Sequence, residues 1–462
     1  MFGVIPTSTT AVMVGAGVAA RMLLSNSVLG AEMSTYNVVS ILDDQVELHG
    51  SSIAGVRIVG GLEEIQKELE RTGAEAVIVA SSRRDSDLLH RVMRQVSGQR
   101  VRILRTPSYE DLVCGTKIGE LFECLDHLRG TEQFATAATN SHLAEFRQKS
   151  VLVTGAGGSI GSEVVRQLAV SGCDQIVCLD RDESLLAATV SRASKLRHGG
   201  SLELLLMDIR DSEALSSALL NYRPDVVIHA AALKHVSILE KFPIEAWKTN
   251  VVGTANVIRA AQSAEVPVMV NLSTDKAASP SSALGFSKLI TERLVVGSVS
   301  ERPDVCQNWH SVRFGNVTRS RGSVFEIFEQ QASSGGPLTV SHPEVRRFFI
   351  SIERAATFIL ESVGMAQAAE TLIPSMPVEM QILDIARRIA ERFDPVPEIV
   401  YSGLKPGEKI SEILVSDQDG SVRKASQEGA VAITQQPLDL DEVTSSRTDP
   451  EKVLELMRQL CA

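Results

Sequence analysis

The chain has 462 residues, 44% of them hydrophobic and 22% charged, with a formal net charge of -11. This balance excludes a disordered chain, a coiled coil and a collagen-like repeat, and leaves room for two or three domains at about 150 residues each. The acidic balance advertises no nucleic-acid surface, and 4% aromatics argue against stacked bases, although a local basic pocket for a phosphorylated small molecule stays open.

An apolar run at 11–14 leads into Gly15-Ala16-Gly17 and an amphipathic stretch, the pattern of strand, tight turn and helix. This N-terminal stretch has no basic leader, its apolar run ends at Arg21, and no uncharged apolar run of about 18 residues occurs anywhere. A cytoplasmic protein, neither secreted nor membrane-spanning, is expected. Strands predicted at 36–42, 57–59 and 76–79 alternate with helical patterns at 62–71 and 85–96. Together they make a small Rossmann-like α/β domain over 1–129. Gly15-x-Gly17-x-x-Ala20 with the pair Asp43-Asp44 leaves two readings of that domain. It holds a second nucleotide or ligand, or it is a vestigial or interaction domain with the same fold. A polar stretch over 130–149, rich in Ala, Thr and Ser, is the predicted linker. The six cysteines, Cys114, Cys124, Cys173, Cys178, Cys306 and Cys461, show no CxxC and no zinc spacing. They read as free thiols in a reducing compartment, and no metal site is expected.

The second unit is predicted over 150–430. Strands at 150–154, 175–179, 202–207, 225–229, 267–272 and 311–314 are separated by helical patterns, which implies a parallel, doubly wound sheet. Past 320 the alternation breaks into a looser α+β portion, with helices at 352–363 and 379–393, that would carry substrate contacts. From 431 the chain reads as an acidic tail ending in a short helix.

Gly155, Gly158 and Gly161 form GxxGxxG directly after a strand, and Ser159 and Ile160 open the following helix. Glycine lets backbone approach a pyrophosphate, and the helix start supplies amide donors. Asp180, at the end of the next strand, suits the ribose diol, and Asp208-Ile209, after the third, suits the adenine. Arg181 would suit the 2′-phosphate of NADP; Asp180 makes NAD the choice, with NADP open. Thr274, Asp275 and Lys276 leave a strand at the carboxyl edge, and Lys288 lies on the helix predicted at 281–296. A hydroxyl, a carboxylate and amines there can serve as hydrogen-bond anchor, general acid and general base.

Five strings in order, Thr154-Gly-Ala-Gly-Gly-Ser-Ile-Gly-Ser-Glu163, His229-Ala-Ala-Ala-Leu-Lys-His-Val236, Ser273-Thr-Asp-Lys276, Arg313-Phe-Gly-Asn-Val317 and Gly403-Leu-Lys-Pro-Gly-Glu-Lys409, resemble one family. It is the long-chain UDP-N-acetylhexosamine 4,6-dehydratases of bacterial polysaccharide biosynthesis, within the extended short-chain dehydrogenase/reductase group. The resemblance runs from about residue 12 to about 415. It implies an extended short-chain-dehydrogenase Rossmann fold with a C-terminal α+β substrate portion, preceded by the smaller N-terminal domain. Family members often carry N-terminal membrane helices, and this chain resembles a soluble version. A homo-oligomer is expected.

The resemblance implies oxidation at C4, water elimination across C5 and C6, and hydride return to C6, with the cofactor kept bound. Thr274 would hold the 4-hydroxyl, Asp275 would protonate the departing 6-hydroxyl and Lys276 would take the C5 proton. Lys288 would hold the nicotinamide ribose, and Ala230, Ala231 and Ala232 would line the cofactor. Lys234 and His235 would lie near the substrate. Asn250, in the family's structural helix motif, is placed with the substrate set. Asn316, Ser323, Arg347 and Glu408 would contact the nucleotide part of a UDP-sugar.

Three departures stand out. Leu284 occupies the position four residues before Lys288 where the wider group has Tyr and related dehydratases often Met, so the base for the 4-hydroxyl is unassigned; Thr274, a water or the cofactor ribose would relay the proton. Ser279-Pro280-Ser281-Ser282 replaces Asn-Pro-Thr-Asn. Thr318-Arg319-Ser320-Arg321 replaces Leu-Gly-Ser-Ser, adding two cations that either grip a diphosphate or are solvated. His229, ending a strand, reads as a core histidine. The rivals are a UDP-sugar 4-epimerase, which needs no acid–base pair at C5 and C6, and a catalytically silent NAD/UDP-sugar-binding protein, for which Leu284 argues.

Overall fold

A computed structural model describes residues 9–17, 20–21, 24, 36–80, 88, 91–92, 95–96, 101–105, 123–124 and 141–462, apart from 198, 319, 377–378, 392, 394, 427–428, 445–448 and 450. The helix predicted at 85–96 lies largely outside the described residues, as do Cys114 and Arg319. Packing divides the chain into two units, Met1–Phe134 and Ala135–Ala462.

In the first unit, β1 (Thr9–Val14), β2 (Tyr36–Leu42), β3 (Ser52–Ile53), β4 (Val56–Gly60), β5 (Ala76–Val79), β6 (Arg102–Arg105) and β7 (Glu123–Cys124) form one sheet in the order β3-β4-β2-β1-β5-β6-β7. The inner pairs are parallel and the two edge pairs antiparallel. Parallel strands covered on both faces read as unbroken apolar runs, and Ala76, Val77, Ile78 and Val79 are all buried. The helical pattern at 62–71 starts as a 3-10 turn, Leu62–Glu64, and becomes α1 (Ile65–Thr72), which Gly73 ends in the left-handed region.

The second unit begins earlier than predicted. The 3-10 turn Ser141–Phe146 falls in the expected linker, yet Leu143 and Phe146 are buried in the core of this unit. Apolar spacing within a polar stretch supplies two anchors, so only part of 130–149 can act as a linker. Then come β8 (Ser150–Thr154), α2 (Ser159–Leu168), β9 (Gln175–Asp180), α3 (Glu183–Ser194), β10 (Ser201–Leu206), α4 (Ser212–Tyr222), β11 (Val226–His229), α5 (Val236–Lys241), α6 (Gly253–Ser263), β12 (Val268–Thr274), α7 (Ala283–Glu301) and β13 (Asn308–Phe314). The six strands are parallel, in the order β10-β9-β8-β11-β12-β13. The order reverses between β8 and β11. Such a switch point opens a crevice at the carboxyl ends of the strands, where ligands bind.

The C-terminal part is built from β14 (Asn316–Val317), α8 (Val324–Ser333), β15 (Leu338–Val340), β16 (Arg346–Ile350), α9 (Ile352–Met365), β17 (Glu370–Ile373), β18 (Glu379–Gln381), α10 (Ile382–Ala390), β19 (Ile399–Tyr401), β20 (Val422–Lys424), β21 (Val431–Thr434), α11 (Leu440–Thr444) and α12 (Val453–Cys461). Two expectations are corrected here. The helix predicted at 379–393 opens instead as a short strand, β18, paired with β16, and is helical only over α10. The segment after 430, read as a tail, is structural: β21 pairs antiparallel with β17 and extends the main sheet. Its α12 packs on α7, where Arg293 Nη1 donates to Leu460 O at 3.0 Å. Covered on both sides, α7 is buried along almost its whole length, which accounts for its apolar, weakly patterned sequence.

Candidate active site

β8 runs into Gly155 at φ +66, where a Cβ would come within 2.6 Å of Ala231 N. Only glycine fits both that backbone and that approach. Gly158 caps α2, and a Cβ at Gly161 would strike Gly155 O. Asp180 holds the turn: Gly157 N donates to its Oδ2 at 2.8 Å and Asp182 N to its Oδ1 at 2.9 Å. Below lies a cavity of about 260 Å³ lined by Gly155, Gly158, Asp180, Arg181, Asp208, Ile209 and Ala230 to Ala232. Ser159 and Ile160 sit in the first turn of α2 beside it. The donors at the helix start, the close-packed glycines and the carboxylate at the strand end fit a dinucleotide. Asp208 departs from its simple expected role. Its carboxylate receives Arg210 Nη2 at 2.6 Å and Nε at 3.0 Å, with Arg181 Nη1 at 3.7 Å. Burial opposes its ionisation, but Arg210 and Arg181 hold the carboxyl below its ordinary range.

The first unit repeats this turn. Gly15 has φ +100 with its Cβ position 2.5 Å from Ala80 O. Ala16 N donates to Asp43 Oδ2 at 2.6 Å, and Gln45 N to Asp43 Oδ1 at 2.9 Å. Asp44 is engaged by Leu62 N and Arg91.

At the end of β12 the polar trio converges. Thr274 Oγ1 donates to Asp275 Oδ1 at 2.8 Å, and Lys276 Nζ donates to the same oxygen at 2.9 Å and to Asn316 Oδ1 at 3.3 Å. Asp275 is 1% exposed, and among the described residues its Oδ2 has no hydrogen-bond partner. A buried acceptor left bare costs about 1–3 kcal/mol, a cost a ligand hydroxyl would relieve. Lys288 lies buried on α7; burial pushes its amine down to about 8, and Glu292 resists. One turn before it, Leu284 is buried in the apolar core. His229 bonds Thr154 at 2.7 Å and Thr254 at 2.9 Å, and burial pushes its imidazole down to about 3, so it is a neutral core group.

The expected substrate residues divide. Arg347 is buried and donates to Arg346 O, Ile410 O and Lys409 O at 2.6, 3.0 and 2.8 Å, with Glu408 at 3.5 Å. Glu408 also accepts from Ser341 Oγ and Lys405 N. Lys409 reaches Ser279 O, and Ser281 Oγ donates to Gly407 O, so the strap at 405–412 is fastened to the loop that follows Lys276. Asn250 is corrected. It is fully buried in a π-helical turn, its Oδ1 accepting from Leu233 N and its Nδ2 donating to Leu233 O and Ser287 Oγ, so its amide is spent positioning the fold. The Ser323 hydroxyl caps α8. Lys234 Nζ donates to Arg321 O, the His235 ring lies close against Gly322, and Arg321 reaches the dinucleotide turn instead of the strap.

Two acidic groups carried no expectation. Glu412, 5% exposed, faces Lys276, Asp275, Arg347 and Lys409, and burial, with Asp275, keeps its carboxyl above the ordinary range. A lone glutamate in an aperiodic segment carries no signal in sequence. Glu240 is a second, its Oε1 accepting from Ala283 N at 2.6 Å at the start of α7.

Residues 151–434 match the family model described as polysaccharide biosynthesis protein. The chain belongs to that family. The capsular polysaccharide biosynthesis protein CapD of Staphylococcus aureus is 32% identical over 414 residues, covering 88% of this chain and 68% of CapD. A UDP-N-acetylglucosamine 4,6-dehydratase (inverting) of Campylobacter jejuni is 35% identical over 59% of this chain and 79% of its own length. A UDP-glucose 4-epimerase of Rickettsia conorii is 32% identical over 59% of this chain and 80% of its own. Among solved structures, Pen from Bacillus thuringiensis aligns with TM-score 0.57 at 32% identity, over 64% of this chain and 91% of Pen. The chain is thus related to nucleotide-sugar dehydratases and epimerases of the extended short-chain dehydrogenase/reductase group.

Proposed function

We propose that this chain is a nucleotide-sugar 4,6-dehydratase that keeps NAD or NADP bound and converts a UDP-N-acetylhexosamine, UDP-N-acetylglucosamine in the first instance, to its 4-keto-6-deoxy derivative. The observation that carries this reading is the buried Asp275, paired through one oxygen with both Thr274 and Lys276 and bare at the other. The nicotinamide, when bound, supplies the hydride exchange, from C4 and back to C6. Everything else falls to side chains.

Leu284 cannot accept the proton of the 4-hydroxyl, so Thr274 offers the route. Its hydroxyl takes the O4 proton while passing its own to Asp275. Asp275, now neutral, hands that proton to O6, which leaves as water. Lys276, as the free amine beside the neutral acid, takes the C5 proton and returns it to C5 once the hydride has reached C6. Protons balance: the one from O4 departs in the water, and the one from C5 is borrowed. Incubation with UDP-N-acetylglucosamine and mass spectrometry tests this. The reading expects a product lighter by one water; Asp275→Asn should abolish it, and unchanged turnover would remove Asp275 from the role. A second reading, a UDP-sugar 4-epimerase, is supported by the relative of that name at almost equal identity. It expects a product of unchanged mass. Binding without turnover would instead favour the silent protein.

A further inference from the structure

We propose that Arg321 bolts the loop at 320–323 across the dinucleotide turn and serves the diphosphate of the cofactor, not that of the nucleotide sugar. This rests on the dinucleotide reading above. Three tethers define the bolt. Arg321 Nη2 donates to Gly157 O at 2.6 Å, Arg321 N donates to Ser159 Oγ at 3.1 Å, and Lys234 Nζ donates to Arg321 O at 2.7 Å. Gly157 and Ser159 flank Gly158, the cap of α2, so the guanidinium stands at a helix start where amides and dipole favour an anion. A planar guanidinium bonded through one N–H keeps further donors in its fork for phosphate oxygens.

The tethers join the loop to the segments after β8 and after β11, the two strands that flank the switch point. Gly322 makes the close approach possible: it has φ +69, and a Cβ there would lie 2.9 Å from His235 Cε1. Arg347 and Glu408, by contrast, are engaged with the strap at 405–412 and make no bond to this loop. Arg321 thus stands at the dinucleotide turn, whereas the donors of Arg347 are spent on the strap. Retention is also chemically coherent, because the hydride taken from a sugar is returned to the same sugar and slow cofactor release costs no turnover.

The experiment measures dissociation of NADH or NADPH, whichever the unsubstituted protein holds, by fluorescence after a chase with excess oxidised cofactor. UDP affinity is measured on the same preparations by calorimetry. Loss of a charge-assisted hydrogen bond predicts release faster by about tenfold or more in Arg321→Ala, with UDP affinity kept within about twofold. Arg321→Lys, which keeps the charge and loses the fork, should fall between. Unchanged release with weakened UDP binding would assign Arg321 to the sugar nucleotide, and no change in either would make it a solvated side chain; both overturn the proposal. If the unsubstituted chain binds neither dinucleotide, the cofactor reading itself fails, a result visible before any substitution is made.

Discussion

At the level of single residues, the chemistry turns on how few groups share one buried acid. Asp275 is flanked by Lys276, Thr274 and, across the strap, Glu412. General acid–base catalysis contributes about 10²–10⁴-fold, so Lys276→Met should cut dehydration by about that factor while leaving cofactor retention intact, as measured by product formation beside bound-dinucleotide absorbance. Glu412→Gln removes a negative group facing Lys276. Dehydration kcat should fall by about tenfold or more with KM and dinucleotide retention unchanged, and Glu412→Asp should restore most of the rate. A matching rise in KM or loss of bound dinucleotide would make Glu412 merely structural. Asp275 and Lys276 were legible in sequence because a hydroxyl, a carboxylate and an amine stand together at a strand end. Glu412 was not, because its neighbours come from distant segments. Nor was the pairing of Asp208 with Arg210 evident from an Asp at a strand end.

The elements show why the site stays in place. Arg313 on β13 is fully buried between Glu292 of α7, at 2.6 Å, and Asp419, at 3.0 Å. Burial opposes its charge, but the two carboxylates outweigh it and hold the guanidinium protonated. This ion triad fixes the helix that carries Lys288. Arg313→Met would leave two buried carboxylates unpaired, and an uncompensated buried charge costs about 3–5 kcal/mol. Urea unfolding should show a loss of that size; a loss under about 1 kcal/mol would mean that the site relaxes or admits water. Gly155→Ala places a Cβ against Ala231 N at φ +66, so the variant should fail to retain dinucleotide after gel filtration. The six central strands and the turn were legible because buried parallel strands read as apolar runs between glycines. The strand β18 within a predicted helix was not, since three residues of extended chain leave no periodic trace and their pairing with β16 is decided by tertiary contact.

On the scale of the whole molecule, the last thirty residues complete the sheet and cover α7 instead of trailing from it. Removal of 431–462 should therefore abolish cooperative unfolding of the second unit; a truncated chain with the parental melting transition would contradict this. Their acidic composition hid a short apolar strand and a helix whose buried face shows only once the sheet is assembled. Two buried histidines contribute to the acid response. Burial pushes His229 down to about 3 and His310 to about 4, the latter bonded to Ser362 at 2.8 Å. Between those values and the ordinary 6.5, the unfolded chain binds more protons than the folded one. These groups therefore make stability rise with pH from about 4 to 6.5 and fall away on acidification. The slope should flatten in His310→Asn, read from denaturant unfolding at several pH values.

The whole account rests on a hexose whose C4, C5 and C6 meet one acid, one amine and one returning hydride. UDP-N-acetylglucosamine carrying deuterium at C4 reports on the water loss and on the returning hydride at once. The expected product is lighter by one water and carries the deuterium at C6. A product of unchanged mass with the label still at C4, or bound substrate that is never converted, would contradict it.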